Sequence, residues 1–273
     1  MLDGLPPVSI PGFADPVSSW SHLLGAGAML VWGVFLLRAG HGHRGRIFAL
    51  GVFVFAGTFL LSMSGVFHLL PRDGDGRAVL QRLDHAGIFL LIAGTFTPAH
   101  IMLFRGWRRW VPLILVWVCA VTGITLKTIF FNDVSESLGL TFYLGLGWVG
   151  AVSGFLVWQQ YGFRFMELLI AGALAYTLGA VCEFLRWPVA IPGVLGPHEF
   201  FHLAVLAGLA CHAGFIWELA HLARQGEIPH PPRPVSQNIP APAANHSVDP
   251  MVTGPYSTAT EQPTHVPATL DRR

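Results

Sequence analysis

Apolar positions in this sequence gather into seven long runs, near residues 22–37, 47–70, 84–104, 110–126, 139–158, 165–185 and 199–219. Short segments between the runs hold most of the charge. A helix needs about 20 apolar residues to cross a bilayer, and runs of about 15 to 24 residues meet that length. None shows the two-residue alternation of an outer-membrane barrel strand, and glycines inside apolar runs are ordinary for membrane helices. The pattern predicts an all-α, polytopic membrane protein: a seven-transmembrane-helix bundle. Trp20, Trp107, Trp110 and Trp187 stand near predicted span ends, where indole rings settle at the membrane interface.

Beyond about residue 225 the apolar periodicity stops, and half of the chain's 20 prolines fall in this last part, mixed with Ala, Ser, Thr and Asn. Such a composition cannot bury enough apolar surface to order itself. The expected organisation is an N-terminal segment (1–20), a seven-helix domain (21–222) and a disordered C-terminal tail (223–273). The first 21 residues hold no Lys or Arg and no apolar run of signal length, so no cleaved signal is expected and the spans themselves direct insertion.

Composition agrees: 53% of residues are hydrophobic and 11% charged, against roughly 25% charged in an average soluble domain. Net charge is +1 and Lys127 is the sole lysine, which sets nucleic-acid binding aside. Cys119, Cys182 and Cys211 are odd in number, lack CxxC spacing and lie inside apolar runs, so they read as packing residues. Arginines favour one face: Arg38, Arg44, Arg46, Arg105, Arg108, Arg109, Arg164 and Arg224 against Arg72, Arg77, Arg82, Lys127 and Arg186. By the positive-inside rule this favours an outside amino terminus.

Seven alternating crossings put the end of span two, the start of span three and the start of span seven at one membrane face. His68, Asp84 and His198 are therefore level in depth. His198 and His202, four apart, share one helix face, so both imidazoles can converge on one metal, with His68 as third nitrogen. Three protein ligands and an open position is the geometry of catalytic zinc. Ser64, one turn before His68, and Asp84 are the expected supporting residues: the hydroxyl to hydrogen-bond a ligand imidazole, the carboxylate to orient a water or accept its proton. An unpaired charge at such depth would cost several kcal/mol, which convergence on a cation offsets.

Ser64-x-x-x-His68, then Arg82-Leu-Asp-His-Ala-Gly-Ile-Phe-Leu-Leu-Ile-Ala-Gly-Thr-Phe-Thr-Pro98, then His198-x-x-x-His202 occur in an order that resembles the hemolysin III family, the bacterial branch of the progestin and adipoQ receptor superfamily and a distant relative of alkaline ceramidases. Lys127, Tyr143 with Gly147-Trp148, Ala175-Tyr176-Thr177-Leu178-Gly179 and Leu206-Ala207-Gly208 extend the match, which runs from about Ser21 to Leu219. The stretch Asp15-Pro-Val-Ser-Ser-Trp-Ser-His22 departs from the family by lacking an asparagine that many members carry there. The resemblance implies zinc held by His68, His198 and His202, Asp84 holding the water, Ser64 in support, and a place in a bacterial inner membrane. Its receptor branch also puts the amino terminus and metal on the cytosolic side, opposite to the arginine count.

Rival readings attach to particular residues. Glu199 completes an HExxH, the pattern of a metalloprotease with Glu as general base, but no acidic third ligand accompanies it, and Glu199 is expected to face interfacial water. His85 points about 100° from Asp84 and either bonds a backbone carbonyl or touches the site. His22 opens span one on the metal's face, where an accessory role is open. Glu183 and Arg186 have the spacing of a local ion pair. His41, His43, His100 and His212 have no partner at ligand spacing. Through its relation to ceramidases the resemblance implies, as the expected function, a zinc-dependent hydrolase of a membrane lipid amide or ester, with a sphingolipid-like substrate. The alternatives are a non-enzymatic regulator with structural zinc and a cytolytic, membrane-perturbing protein.

Overall fold

The structure, a computed structural model, describes residues 9–228. The expectation of a disordered tail therefore falls, from 229 onward, outside the described residues. Eight α-helices make the seven spans: α1 (Pro16–Ala39), α2 (Arg44–Leu69), α3 (Asp75–Leu103), α4 (Trp107–Ile129), α5 (Glu136–Trp148), α6 (Gly150–Tyr161), α7 (Glu167–Leu185) and α8 (Pro197–Gln225). No named strand occurs among the described residues. Helices follow from the apolar runs because hydrocarbon offers no partner to a backbone N–H or C=O, so each segment must satisfy its own.

Two boundaries differ from the sequence reading. The fifth span is α5 and α6 in line, its helical pattern broken at Val149 beside Gly145, Gly147 and Gly150, where residues without side chains hold the ladder weakly. The third span begins at Asp75 rather than at Asp84. Apolar scanning misses its first turns because they carry Asp75, Arg77, Gln81 and Arg82, and Asp84 consequently lies well inside the helix. In contrast, α8 has legible ends: Pro197 at its first turn, where the missing N–H costs nothing, and Gly226 at φ 75°, the left-handed conformation that closes a helix.

The closest packing joins α2 to α3, α7 to α8 and α1 to α2, with α8 also against α1 and α3. Phe53, Leu50 and Leu61 of α2, Leu36 of α1, and Phe215, Ile216 and Leu219 of α8 are fully buried at the centre. Large apolar side chains face outward as well, among them Leu24, Val31, Phe48, Phe55, Val152 and Leu178. In water such a surface would be a liability; against acyl chains it is the required one. The close approach of α2 and α3 depends on Gly87 and Gly94: a Cβ on Gly87 would sit 3.1 Å from the Leu60 Cα, and one on Gly94 2.6 Å from the Ala56 Cβ. These glycines let the helix bearing Asp84 lie against the helix bearing Ser64 and His68.

Candidate metal centre

Antiparallel crossings with short links bring the C-terminal end of α2 beside the N-terminal end of α8. There His68, His198 and His202 meet, with one nitrogen of each within 4.8 Å of the others. His198 Nε2 lies 3.3 Å from His68 Nε2 and 3.1 Å from His202 Nε2. Ring centroids are 5.0 Å apart for His68 and His198, 4.7 Å for His68 and His202, and 4.6 Å for His198 and His202. Ligand nitrogens bonded tetrahedrally at about 2.0–2.1 Å stand roughly 3.3 Å from one another. The two shortest separations have that spacing, so the three histidines expected from sequence form a group able to hold a metal ion.

Protonation sharpens the fit. The His68 Nδ1–H donates to Asp15 Oδ2 at 3.0 Å, and His198 Nδ1 faces Glu183 Oε2 at 3.5 Å. The proton that Asp15 holds on His68 Nδ1 leaves His68 Nε2 as a bare acceptor, while Glu183 Oε2 near His198 makes no formed hydrogen bond among the described residues. That bare nitrogen opposes His198 Nε2 at 3.3 Å, and a neutral His202 has one N–H at most to offer both neighbours. A cation supplies what the three imidazoles lack. His68 and His202 are buried, whereas the His198 side chain is 42% exposed and closes the group on its open side.

Asp15 precedes α1 and is buried. Its Oδ1 accepts from Arg72 at 2.9 Å and its Oδ2 from Arg77 at 2.6 Å. Burial alone would raise its carboxyl pKa, but the hydrogen bonds from His68, Arg77 and Arg72 outweigh burial and hold it well below the usual carboxylate range. The main chain is fixed too: Asp15 N–H donates to His68 O at 2.9 Å and Ala14 N–H to Leu69 O at 3.3 Å. In the sequence Asp15 stands out only as the start of the stretch before His22, with no role at the site, because nothing along the chain links it to a histidine 53 positions away. The available signal was a carboxylate at the mouth of span one, on the face where His68, Arg72 and Arg77 emerge.

The other sequence candidates divide. Asp84 and Ser64 line a cavity of ≈ 330 Å³ together with His22, His85, Tyr143, Glu183, His198 and His202. Ser64 Oγ is buried without a hydrogen-bond partner among the described residues, so the imidazole contact expected of it is taken by Asp15 at His68. His22 Nε2–H donates to His202 O at 3.4 Å, and its ring packs against that of His202 with centroids 4.0 Å apart and planes tilted by 33°. His85 Nδ1–H donates to Gln81 O at 2.8 Å while its side chain also lines the cavity, so it does both of the things expected of it. The Glu183–Arg186 pair is present at 2.9 Å, with His198 as an unforeseen third member.

Glu199 does not face water. It is 8% exposed, its Oε2 accepts from Gly196 N–H at 2.9 Å, and Ser18 Oγ–H donates to its Oε1 at 3.4 Å. At the third position of α8 a carboxylate satisfies a free N–H at the helix start more cheaply than water can reach it, which overturned the exposed expectation.

A second, apolar cavity of ≈ 520 Å³ adjoins the polar one. Leu60, Ile88, Leu140, Tyr143, Phe201 and Val205 line both. Along α3 its lining runs from Ile88 to Leu103, about 22 Å at 1.5 Å per residue, so the cavity is elongated along the helix.

A family profile described as "Haemolysin-III related" matches residues 13–213. "Hemolysin-3" of Bacillus cereus is 30% identical over 170 residues, covering 62% of this chain and 74% of that protein. "Hemolysin-3 homolog" of Bacillus subtilis (strain 168) is 29% identical over 179 residues, covering 65% and 80%. The rice (Oryza sativa subsp. japonica) "Heptahelical transmembrane protein ADIPOR3" is 27% identical over 175 residues, covering 59% of this chain and 43% of its own length. With its seven apolar spans and a profile match over more than half its length, the chain belongs to the haemolysin-III related family, within the superfamily of the progestin and adipoQ receptors.

Proposed function

We propose that this protein is a membrane-embedded, zinc-dependent hydrolase of a lipid amide or ester, with a sphingolipid-like amphiphile as substrate. The observation that carries this reading is the junction of the two cavities. A polar chamber holding His198, His202, Asp84 and Ser64 shares its wall with an apolar chamber of ≈ 520 Å³. A single-chain or two-chain lipid is the class of molecule with a polar group for the first and a hydrocarbon tail for the second.

His68, His198 and His202 would hold the ion. Zinc, when bound there, supplies a Lewis acid that polarises a carbonyl and activates water. Asp84 faces the same chamber from α3 and is positioned to take up a proton and return it to the leaving group. Ser64, whose buried hydroxyl has no partner among the described residues, can donate a hydrogen bond to a carbonyl oxygen. Leu60, Ile88 and Val205 give the junction an apolar wall, which would keep water away and strengthen each of these interactions.

A second reading has its own support. The triad ties the end of α2 to the start of α8, and Asp15 ties the segment before α1 to His68 at the end of α2, so a zinc ion here would also cross-link the bundle. Purified protein separates the two. Wild type loaded with zinc is incubated with ceramides and related acyl amides and esters, and released fatty acid is measured, alongside metal content for Asp84→Ala and for His68→Ala, His198→Ala and His202→Ala. The hydrolase reading expects release by wild type, zinc but at least ~100-fold less release in Asp84→Ala, and loss of zinc in each histidine variant. Zinc binding with no release from any of these lipids overturns it in favour of the cross-link.

A further inference from the structure

Two carboxylates of the centre have no part in the chemistry above. Asp15 stands behind His68 and Glu183 behind His198, and each is held by arginine on its far side. We propose that Asp15 and Glu183 are paired positioning residues of the metal site, each fixing one ligand imidazole with Nδ1 protonated and Nε2 turned toward the cation. The inference rests on the reading of the triad as a metal site.

An imidazole presents a lone pair from the required nitrogen in one tautomer and one ring orientation only; the other tautomer or a ring flip presents N–H or C–H. A carboxylate on Nδ1 removes that ambiguity and raises the basicity of Nε2. It can do so only if it is itself immobile. Asp15 is immobilised three ways: Arg72 on Oδ1, Arg77 on Oδ2, and its own N–H on the His68 carbonyl, so its carboxylate is fixed relative to the backbone of the residue it orients. Glu183 has a simpler clamp, Arg186 on Oε1 at 2.9 Å, one turn along the same helix. The arginines also keep each carboxylate engaged, so that it supports a ligand rather than competing to become one.

The two relays are unequal. The Asp15 carboxylate meets Nδ1 at 3.0 Å and is buried, a full charge-assisted hydrogen bond. The Glu183 Oε2 stands 3.5 Å from Nδ1 of a half-exposed His198, an ion-pair approach without a formed hydrogen bond among the described residues. His202 has no such partner among the described residues; its Nδ1 is buried and unbonded, and its ring packs in a tilted contact against His22. Removing Asp15 therefore weakens the metal more than removing Glu183. A purely structural role, in which these acids staple helix ends, makes no such ordering and leaves histidine tautomers unchanged.

The test uses the full chain purified in detergent and zinc alone as probe. Zinc affinity is measured by competition with a chromophoric chelator for wild type, Asp15→Asn, Asp15→Ala, Glu183→Gln and Glu183→Ala. Asp15→Ala is expected to bind about 100-fold more weakly and Glu183→Ala about 10-fold, the range for partners of ligand imidazoles. Asp15→Asn, which keeps an acceptor but loses the charge, falls between wild type and Asp15→Ala. Nitrogen NMR of ¹⁵N-histidine-labelled, zinc-free protein reads the tautomers directly: His68 is released from its Nδ1–H form in Asp15→Ala and His198 from its own in Glu183→Ala. Affinities within threefold of wild type, or tautomers that do not move, overturn the proposal; Asp15→Asn and Glu183→Gln carry the same affinity criterion should the alanine variants not fold. A wild type that takes up no zinc instead overturns the metal reading itself.

Discussion

On the hydrolase reading proposed above, Gly87→Ala tests whether turnover depends on how closely the helix bearing Asp84 lies against the helix bearing His68. Gly87 is three residues from Asp84 and shares its face of α3. The added methyl would lie 3.0 Å from Leu60 Cδ1 and 3.1 Å from Leu60 Cα. Carbon atoms rest at about 3.5–4.0 Å. The Leu60 side chain can rotate away, but its backbone cannot, so α3 must part from α2 locally by roughly 0.5–1 Å. Overpacking of this kind costs about 1–3 kcal/mol, a fall in melting temperature of roughly 2–10 °C for a chain of this size. All three candidate ligands lie on α2 and α8, so zinc content is expected to stay within a factor of about two. A displacement near 1 Å of a catalytic group costs on the order of 100-fold in rate, so fatty-acid release is expected to drop ~10- to 100-fold. Leu60→Ala in the same background relieves the clash with the leucine side chain but not the clash with its backbone, and recovers part of the loss. The assays are differential scanning fluorimetry in detergent, metal analysis and lipid turnover on one preparation. A Gly87→Ala protein with unchanged melting and unchanged turnover would refute the idea that this close approach positions Asp84.

Two further predictions follow from buried carboxylates. Glu199→Gln keeps zinc and turnover within about twofold, because Glu199 caps the start of α8 and does not line the cavity, whereas Glu199→Ala lowers stability by ~1 kcal/mol through the lost cap; loss of turnover with zinc retained in Glu199→Gln would instead favour an HExxH protease mechanism. Asp15 has a folded pKa depressed below its unfolded value of about 3.9. Its contribution to stability is thus complete above roughly pH 5 and is lost as pH falls through the ordinary aspartate range toward the lower folded value. Melting temperature measured from pH 6 down to pH 3 should fall more steeply in wild type than in Asp15→Asn, and parallel curves would contradict that assignment.

Much of this molecule is written along one dimension. Run length and the absence of charge dictate seven helices because a backbone in hydrocarbon has no other way to satisfy its polar groups. Alternate crossing then places His68, Asp84 and His198 at one face, and the i, i+4 spacing of His198 and His202 aligns their rings. The triad was legible for these reasons: each step follows from local geometry and parity. What could not be read is how groups on different elements meet side by side. Asp15 reaches His68 across 53 positions, past nearer acids, because α1 packs on α2 with the preceding segment laid over the end of α2. Glu183 meets His198 only because α7 packs on α8. The first turns of α3 and the burial of Glu199 escaped for a related reason: polar residues can lie in a helix, or inside a bundle, whenever neighbours satisfy them, and neighbours are a property of packing. The joined cavities are of the same kind. They are the space that seven helices leave between them, set by close approaches such as Gly87 against Leu60, and that arrangement, rather than the chain's hydropathy, decides what can reach the three histidines.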